Sequence, residues 1–250
     1  MELSHLSPED IISRAGSAPM EHKSLYRSIP TAHPTKFIFY PDGLTNEEAE
    51  FAALLADETS GISHEQRPED RWYQYGDNEK TEFCFDAVNI PASRFSDGSF
   101  PVWYGATSQE ASQAEVIHHL RRQAACELVH CESENAVRFE RAWCRAVVSL
   151  PKACNISSFA REGHPGLRED GPPWPFCNQV GITAHREKFQ GLVTASRRWP
   201  VDDCWAVFDS GVISGSVVRG YWDVVIERDE TITLCSSENV TYENGEMVFL

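Results

Sequence analysis

No run in this 250-residue chain approaches the roughly 18 consecutive apolar residues that span a bilayer. The first 25 residues carry Glu2, Glu9, Asp10 and Glu21 and no apolar stretch, so neither a secretory signal nor a membrane helix is expected. The expected compartment is the cytoplasm. None of the eight cysteines (84, 126, 131, 144, 154, 177, 204 and 235) forms a C-x-x-C pair, and a reducing compartment would keep them as thiols. The motifs G-x-G-x-x-G, G-x-x-x-x-G-K-[ST] and H-E-x-x-H are all missing. Dinucleotide redox chemistry on a doubly wound sheet and P-loop phosphoryl transfer therefore lose their usual sequence support. Cations are scarce as well: 22 Lys and Arg stand against 38 Asp and Glu, a net charge of −16. Such a field repels nucleic acid and anionic membranes, so direct contact with either is not expected. An anionic small ligand would bind only where basic residues converge, and a basic protein partner suits the charge.

What is present is a chain able to bury a core, with 41% hydrophobic residues and seven Trp. We read residues 1–20 as an N-terminal helical extension and 21–250 as one large domain with a polar insertion near 57–82. Ser7-Pro8-Glu9-Asp10 starts a helix that runs to about Ala15 and breaks at Gly16. Leu25–Pro30 is extended, and Thr45–Glu48 is a capping box before a helix to about Ala56. Glu82–Phe85 and Pro101–Tyr104 read as strands around a turn at Phe95–Ser99. Thr107–Glu110 is a second capping box, opening a helix from Ser108 to Val129 whose apolar positions Ile117, Leu120, Ala124 and Leu128 recur at helical spacing.

Strands follow at Arg141–Leu150, Gly191–Ala195, Cys204–Val212 and Val217–Arg228. The last alternates Val218, Trp222, Val224 and Ile226 against Arg219, Tyr221, Asp223 and Glu227. Residues 161–176 read as a loop, and Asn244-Gly245 as the turn of a hairpin between Val240–Tyr242 and Met247–Leu250. Helices and strands mix without steady βαβ alternation, so the expected class is α+β.

The most informative stretch runs from Arg94 to Glu115. A guanidinium stands ten residues before the phenol of Tyr104, and a carboxylate eleven residues after it. A guanidinium fork matches phosphate oxygens, and an aromatic face holds a flat ring. A fixed carboxylate stabilises the positive charge that develops as a glycosidic bond breaks. Together these residues point to cleavage of the glycosidic bond of a dinucleotide. Trp103, on the other face of its strand, is expected in the core. Ala111, Glu115, His118 and His119 share one helix face, where small Ala111 admits a ligand and His119 would orient Glu115.

Five pieces in order, Tyr26-Arg27, Ser93-Arg94-Phe95-Ser-Asp-Gly98, Pro101-Val-Trp-Tyr104-Gly-Ala, Ala114-Glu115-Val116 and Gly191-Leu-Val-Thr-Ala-Ser196-Arg197, resemble the RES-domain family. These are toxins of bacterial toxin–antitoxin pairs related in fold to the ADP-ribosyltransferases. The resemblance spans roughly residues 24–210, departing from the family in the 57–82 insertion and in the wide gap between Glu115 and Ser196. It implies an ADP-ribosyltransferase-like core of small packed β-sheets flanked by helices, with NAD as substrate in a cleft between two sheets.

By the same resemblance Arg27 and Arg94 bind the diphosphate and Tyr104 stacks on nicotinamide, its hydroxyl open to a further bond. Glu115 stabilises the oxocarbenium-like state, and Ser196 bonds the ligand or that glutamate. Glu115, Arg27 and Ser196 are the catalytic set. The implied outcome is NAD depletion by hydrolysis or phosphorolysis. The alternatives are mono-ADP-ribosylation of a protein target and a catalytically inactive binding module. The implied partner is a cognate helix-turn-helix antitoxin that plugs the site and supplies the DNA contact.

Other chemistries find less support. His118 and His119 are adjacent and point about 100° apart on a helix, so with Cys126, His130 and Cys131 they make a poor ion cage, and no metal is expected. Cys84 and Cys204 lie in apolar runs and are expected as buried thiols rather than nucleophiles. No G-x-S-x-G surrounds Ser196, which argues against a nucleophilic serine. Arg197 and Arg198 beside it would add local positive charge.

Overall fold

The computed structural model describes residues 5–30, 83–85, 90–130, 135–169, 172–236, 240–243 and 246–249. The helix expected at 45–56 and the insertion at 57–82 lie outside the described residues.

Seven strands form one sheet in the order β1-β2-β5-β4-β3-β6-β7: β1 Ala18–Pro30, β2 Trp103–Ala106, β3 Ala136–Asn155, β4 Gly191–Ala195, β5 Asp203–Val207, β6 Ile213–Glu227 and β7 Ile232–Ser236. A separate hairpin pairs β8 Val240–Glu243 with β9 Glu246–Phe249, as the Asn244-Gly245 reading expects. The helices are α1 Pro8–Ala15, α2 Gln109–His130, α3 Ser157–Arg161 and α4 Pro175–Arg186. The class is α+β.

One pairing shapes the molecule. β1 bonds β3 along most of its length and also meets β2 at Tyr26↔Ala106, so β1, β2, β5, β4 and β3 close into a ring. Side-chain alternation fills the ring with Leu25, Trp103, Ala146, Val148, Leu150, Ala153, Val193, Trp205 and Val207, all buried. Gly105 is required there: a Cβ would stand 2.5 Å from the Trp103 ring. Two buried indoles of this size dominate the apolar area removed from water inside so small a ring.

The outer surface is covered in two places. α1, α4 and the turn before β2 pack Ile11, Ile12, Phe95, Phe100, Cys177, Val180 and Ala184 onto Leu192 and Ala206. The helix read as an N-terminal extension thus shares a core with the strands. Its start is as expected: the Ser7 side chain accepts from the Asp10 amide, and the Asp10 carboxylate accepts from the Ser7 amide. Such a capping box satisfies two amides that the first helical turn leaves without partners. α2 lays Leu120 and Ala124 against Trp143, Trp222, Val224 and Ile226, and Trp143 stacks on Trp222 at 4.7 Å between centroids.

Several expectations change. Phe83–Phe85 is a 3-10 turn, not a strand. The cap of α2 is Ser108, whose Oγ accepts from the Ala111 amide at 3.0 Å, while Thr107 bonds Asp202 and Asp203 instead. The strand expected to run to Val212 ends at Val207, because Asp209 Oδ1 takes the Gly211 amide and turns the chain. Within 161–176 the segment Pro165–Arg168 is a 3-10 turn, and α4 follows it, an element absent from our reading. Asp223, assigned to the polar face of its strand, is buried and paired with Arg138 on β3.

Candidate active site

A cavity of about 370 Å³ opens between α2, the 92–95 turn and the strands β1, β2, β4 and β5. That volume lies within the roughly 300–1,000 Å³ usual for small-molecule sites. The expected cleft between two sheets is therefore a cleft between a helix and one sheet. Arg27, Arg94, Tyr104 and Glu115 all line it. Ser196 joins them through Glu115.

Glu115 is held on one side only. Its Oε1 accepts from Ser196 Oγ at 2.8 Å, from the Arg197 amide at 2.9 Å and from the Arg198 amide at 3.2 Å. Ser196 Oγ in turn accepts from the Trp199 amide at 3.0 Å. The turn leaving β4 thus wraps one carboxylate oxygen, and Oε2 carries no hydrogen bond among the described residues. Hydrogen bonds to an ionised acceptor are about twice as strong as neutral ones, which fixes the carboxylate in place. The histidine joined to this turn is His118, whose Nε2 lies 2.7 Å from Arg198 Nη2. A guanidinium only donates, so His118 presents a lone pair there. The orienting role expected of His119 falls to Ser196 and the two amides.

Tyr104 is committed to the fold by its hydroxyl. The oxygen lies 2.9 Å from Ser93 Oγ and accepts from the Phe95 amide at 3.0 Å. Burial pushes the phenol up to about 12, so it stays protonated. Its ring remains as cavity wall, while the hydroxyl steadies the turn that carries Arg94. Asn178 on α4 steadies the same turn, its amide donating to the Ser93 and Arg94 carbonyls at 2.6 and 3.1 Å.

Arg94 donates to the Leu167 carbonyl, and its Nε is buried with no partner among the described residues. Arg27 sits where β1 and β2 part, over the Trp103 ring at 5.6 Å, with Nη1 3.5 Å from the Tyr104 carbonyl. Its charge and burial together lower Arg141, burial being the larger cause, to about 10. Arg141 is still a cation at neutral pH and binds the side chain and carbonyl of Ser28. In all, Arg27, Arg94, Arg122, Arg197 and Arg198 line the cavity against Glu115 and Glu169. In a chain of net charge −16 this is the local convergence of cations an anionic ligand needs.

Glu169 and Trp174 on the wall, like Arg122 of α2, were not singled out in the sequence. Glu169 accepts from the Phe176 and Cys177 amides at 3.0 and 3.1 Å and caps α4, and Trp174 precedes that helix. The only signal for them is a lone Glu and Trp in a proline-rich stretch. Cys204 is half-buried, not fully buried as expected, and lines the cavity; burial, then the charge of Glu115, pushes its thiol up to about 12. Of the metal candidates, Cys126 is exposed, and Cys131 and the side chain of His130 lie outside the described residues.

Fold and cavity together define an α+β protein whose cavity gathers five arginines around one braced carboxylate. The family model for the RES domain matches residues 69–227, and the chain belongs to that family. A chain of the crystal structure of the M. tuberculosis MbcT–MbcA toxin–antitoxin complex is similar at 14% identity, over 89% of this chain and 93% of that one, with a TM-score of 0.44. Likeness at that level bears on neither substrate nor partner. No curated protein matches.

Proposed function

We propose that this RES-domain protein is a toxin-class enzyme that breaks the bond between nicotinamide and ribose in NAD, with water or phosphate as acceptor. The observation that carries the reading is Glu115, a carboxylate braced through one oxygen beside a cavity lined by five arginines. As the bond breaks, its electron pair moves to the ring nitrogen and nicotinamide leaves neutral. The ribose carbon is left with oxocarbenium-like charge. Glu115 Oε2, which carries no hydrogen bond among the described residues, is available to that charge or to the ribose hydroxyls. Because Oε1 is already held, little reorganisation accompanies the step. Water then adds to give ADP-ribose and a proton, or phosphate adds to give ADP-ribose phosphate.

Arg27 and Arg94 grip the diphosphate, exchanging carbonyl partners for charged oxygens that bind guanidinium more strongly. The Tyr104 ring supports the flat leaving group, and its hydroxyl stays with the turn. The protein partner is a helix-turn-helix antitoxin, and DNA contact belongs to that partner. The reaction takes place in the cytoplasm.

Purified protein is incubated with NAD, and nicotinamide release is followed with and without inorganic phosphate. Release is expected, and Glu115→Gln should slow it by about a hundredfold or more. No release under either condition, or full release by Glu115→Gln, sinks the reading.

A further inference from the structure

One buried hydroxyl on the cavity wall stands apart. Thr194 lines the cavity from β4 and is 1% exposed, and its Oγ1 has no hydrogen-bond partner among the described residues. Leaving a buried hydroxyl unpaired costs about 1–3 kcal/mol, and such groups are uncommon enough to call for a cause. Three other hydroxyls around the site are engaged: Ser196 with Glu115, Ser93 with Tyr104, and Ser28 with Arg141 and Trp222.

Strand register sets the surroundings of Thr194. It lies opposite Cys204 of β5, which lies opposite Ala106 of β2, so Ala106, Cys204 and Thr194 form one row across the cavity wall. Ala206 lines the wall as well. Small side chains leave room for a ligand to press close. Charges of both signs act on this row, Arg94 opposing Glu115 at the Cys204 thiol. Glu115 lies near enough to help hold the Cys204 thiol protonated, burial being the larger cause. An anion against this row would meet that carboxylate. Arg94 and Arg197, by contrast, are tied to the Leu167 and Arg168 carbonyls.

We propose that the Thr194 hydroxyl is a ligand-binding group reserved for an uncharged amide or hydroxyl of the substrate. This rests on the NAD reading, in which two groups have that chemistry: the carboxamide of the departing ring and the hydroxyls of the adjoining ribose. Thr194 then adds recognition of the reacting end to the arginine hold on the diphosphate.

The test is Thr194→Val, which keeps the branched shape and removes only the hydroxyl. Binding of three fragments is measured by calorimetry: nicotinamide, ADP-ribose and ADP. An about five-fold weakening is expected for nicotinamide alone if the partner is the carboxamide, or for ADP-ribose alone if it is the ribose. ADP, which lacks both groups, should bind unchanged, and Thr194→Ser should restore the lost affinity. The ligand-free melting temperature of Thr194→Val should equal or exceed that of the parent. Unchanged affinity for both nicotinamide and ADP-ribose, or a fall in the ligand-free melting temperature, overturns the proposal. A neutral Thr194→Val beside an inactive Glu115→Gln removes Thr194 alone, whereas full release by Glu115→Gln removes the NAD reading itself.

Discussion

Ser196 Oγ donates to Glu115 Oε1 at 2.8 Å, a contact between β4's end and α2 across 81 residues of chain. The same oxygen accepts the Trp199 amide, so one hydroxyl both braces the carboxylate and closes the turn whose amides complete the brace. Ser196→Ala should therefore lower kcat for nicotinamide release by about 10–100-fold, the size of a hydrogen bond to a charged group. KM should change less, because the arginines remain. Equal loss in both constants would show that the turn serves binding instead.

Four groups, two of them fully buried and two half-buried, give the protein a shared alkaline weakness. Burial raises Cys154 and Cys204 to about 12 and Cys177 to about 11 from an ordinary 9.0, and Tyr104 to about 12 from 10.0. The folded state keeps these protons to higher pH than the unfolded chain does. Stability is therefore complete below about pH 9 and is lost as pH climbs toward 11–12. Urea midpoints measured from pH 7 to 11 should hold and then fall, and Cys154→Ala should flatten the decline. In the folded protein at neutral pH, exposed Cys126 should react with iodoacetamide before Cys204 does.

Legibility in the sequence tracked how local each feature is. Gly191–Ala195 is an apolar run with all five residues buried, and its bounds were readable to the residue. α2 showed its Leu120–Ala124–Leu128 stripe, and the ends were off by a residue because two adjacent hydroxyls, Thr107 and Ser108, competed for the cap. α4 was missed. Its buried face is Cys177, Val180, Gly181, Thr183 and Ala184, mostly small residues with a single Val, which give little periodic contrast after a proline-rich stretch. Asp223 was misplaced because alternation along β6 says nothing of Arg138 on the neighbouring strand. The meeting of Glu115 with Ser196 has no local signature at all. Their joint role came from the family resemblance, and the contact itself depends on how β4 ends beneath α2.

Tyr104 separates two roles that one side chain performs. Its hydroxyl holds Ser93 and the Phe95 amide, while its ring lines the cavity. Tyr104→Phe should cost about 1–3 kcal/mol of stability through the lost bonds. It should also raise KM several-fold as the Arg94 turn loosens, with kcat nearly kept. Tyr104→Ala, losing the ring too, should reduce kcat as well. Steady-state kinetics on the pair, with urea unfolding alongside, distinguishes support of the turn from contact with the leaving group.

Gly181 marks where α4 touches the turn that carries Arg94. A Cβ there would lie 1.8 Å from the Phe95 carbonyl oxygen, and backbone cannot swing aside as a side chain can. Gly181→Ala must push α4 away from residues 93–95, straining the Asn178 bonds to the Ser93 and Arg94 carbonyls. The expected cost is about 2–4 kcal/mol, beyond the usual penalty for overpacking because backbone is the obstacle. Weaker binding of ADP should accompany it, since Arg94 rides on the displaced turn. Gly220, in β6, supplies the control: nothing lies within 4 Å of its added Cβ. Gly220→Ala should be neutral or slightly stabilising, by less than about 1 kcal/mol, by narrowing the freedom of the unfolded chain. If Gly181→Ala unfolds no more easily than Gly220→Ala and binds ADP as the parent does, α4 does not set the position of Arg94.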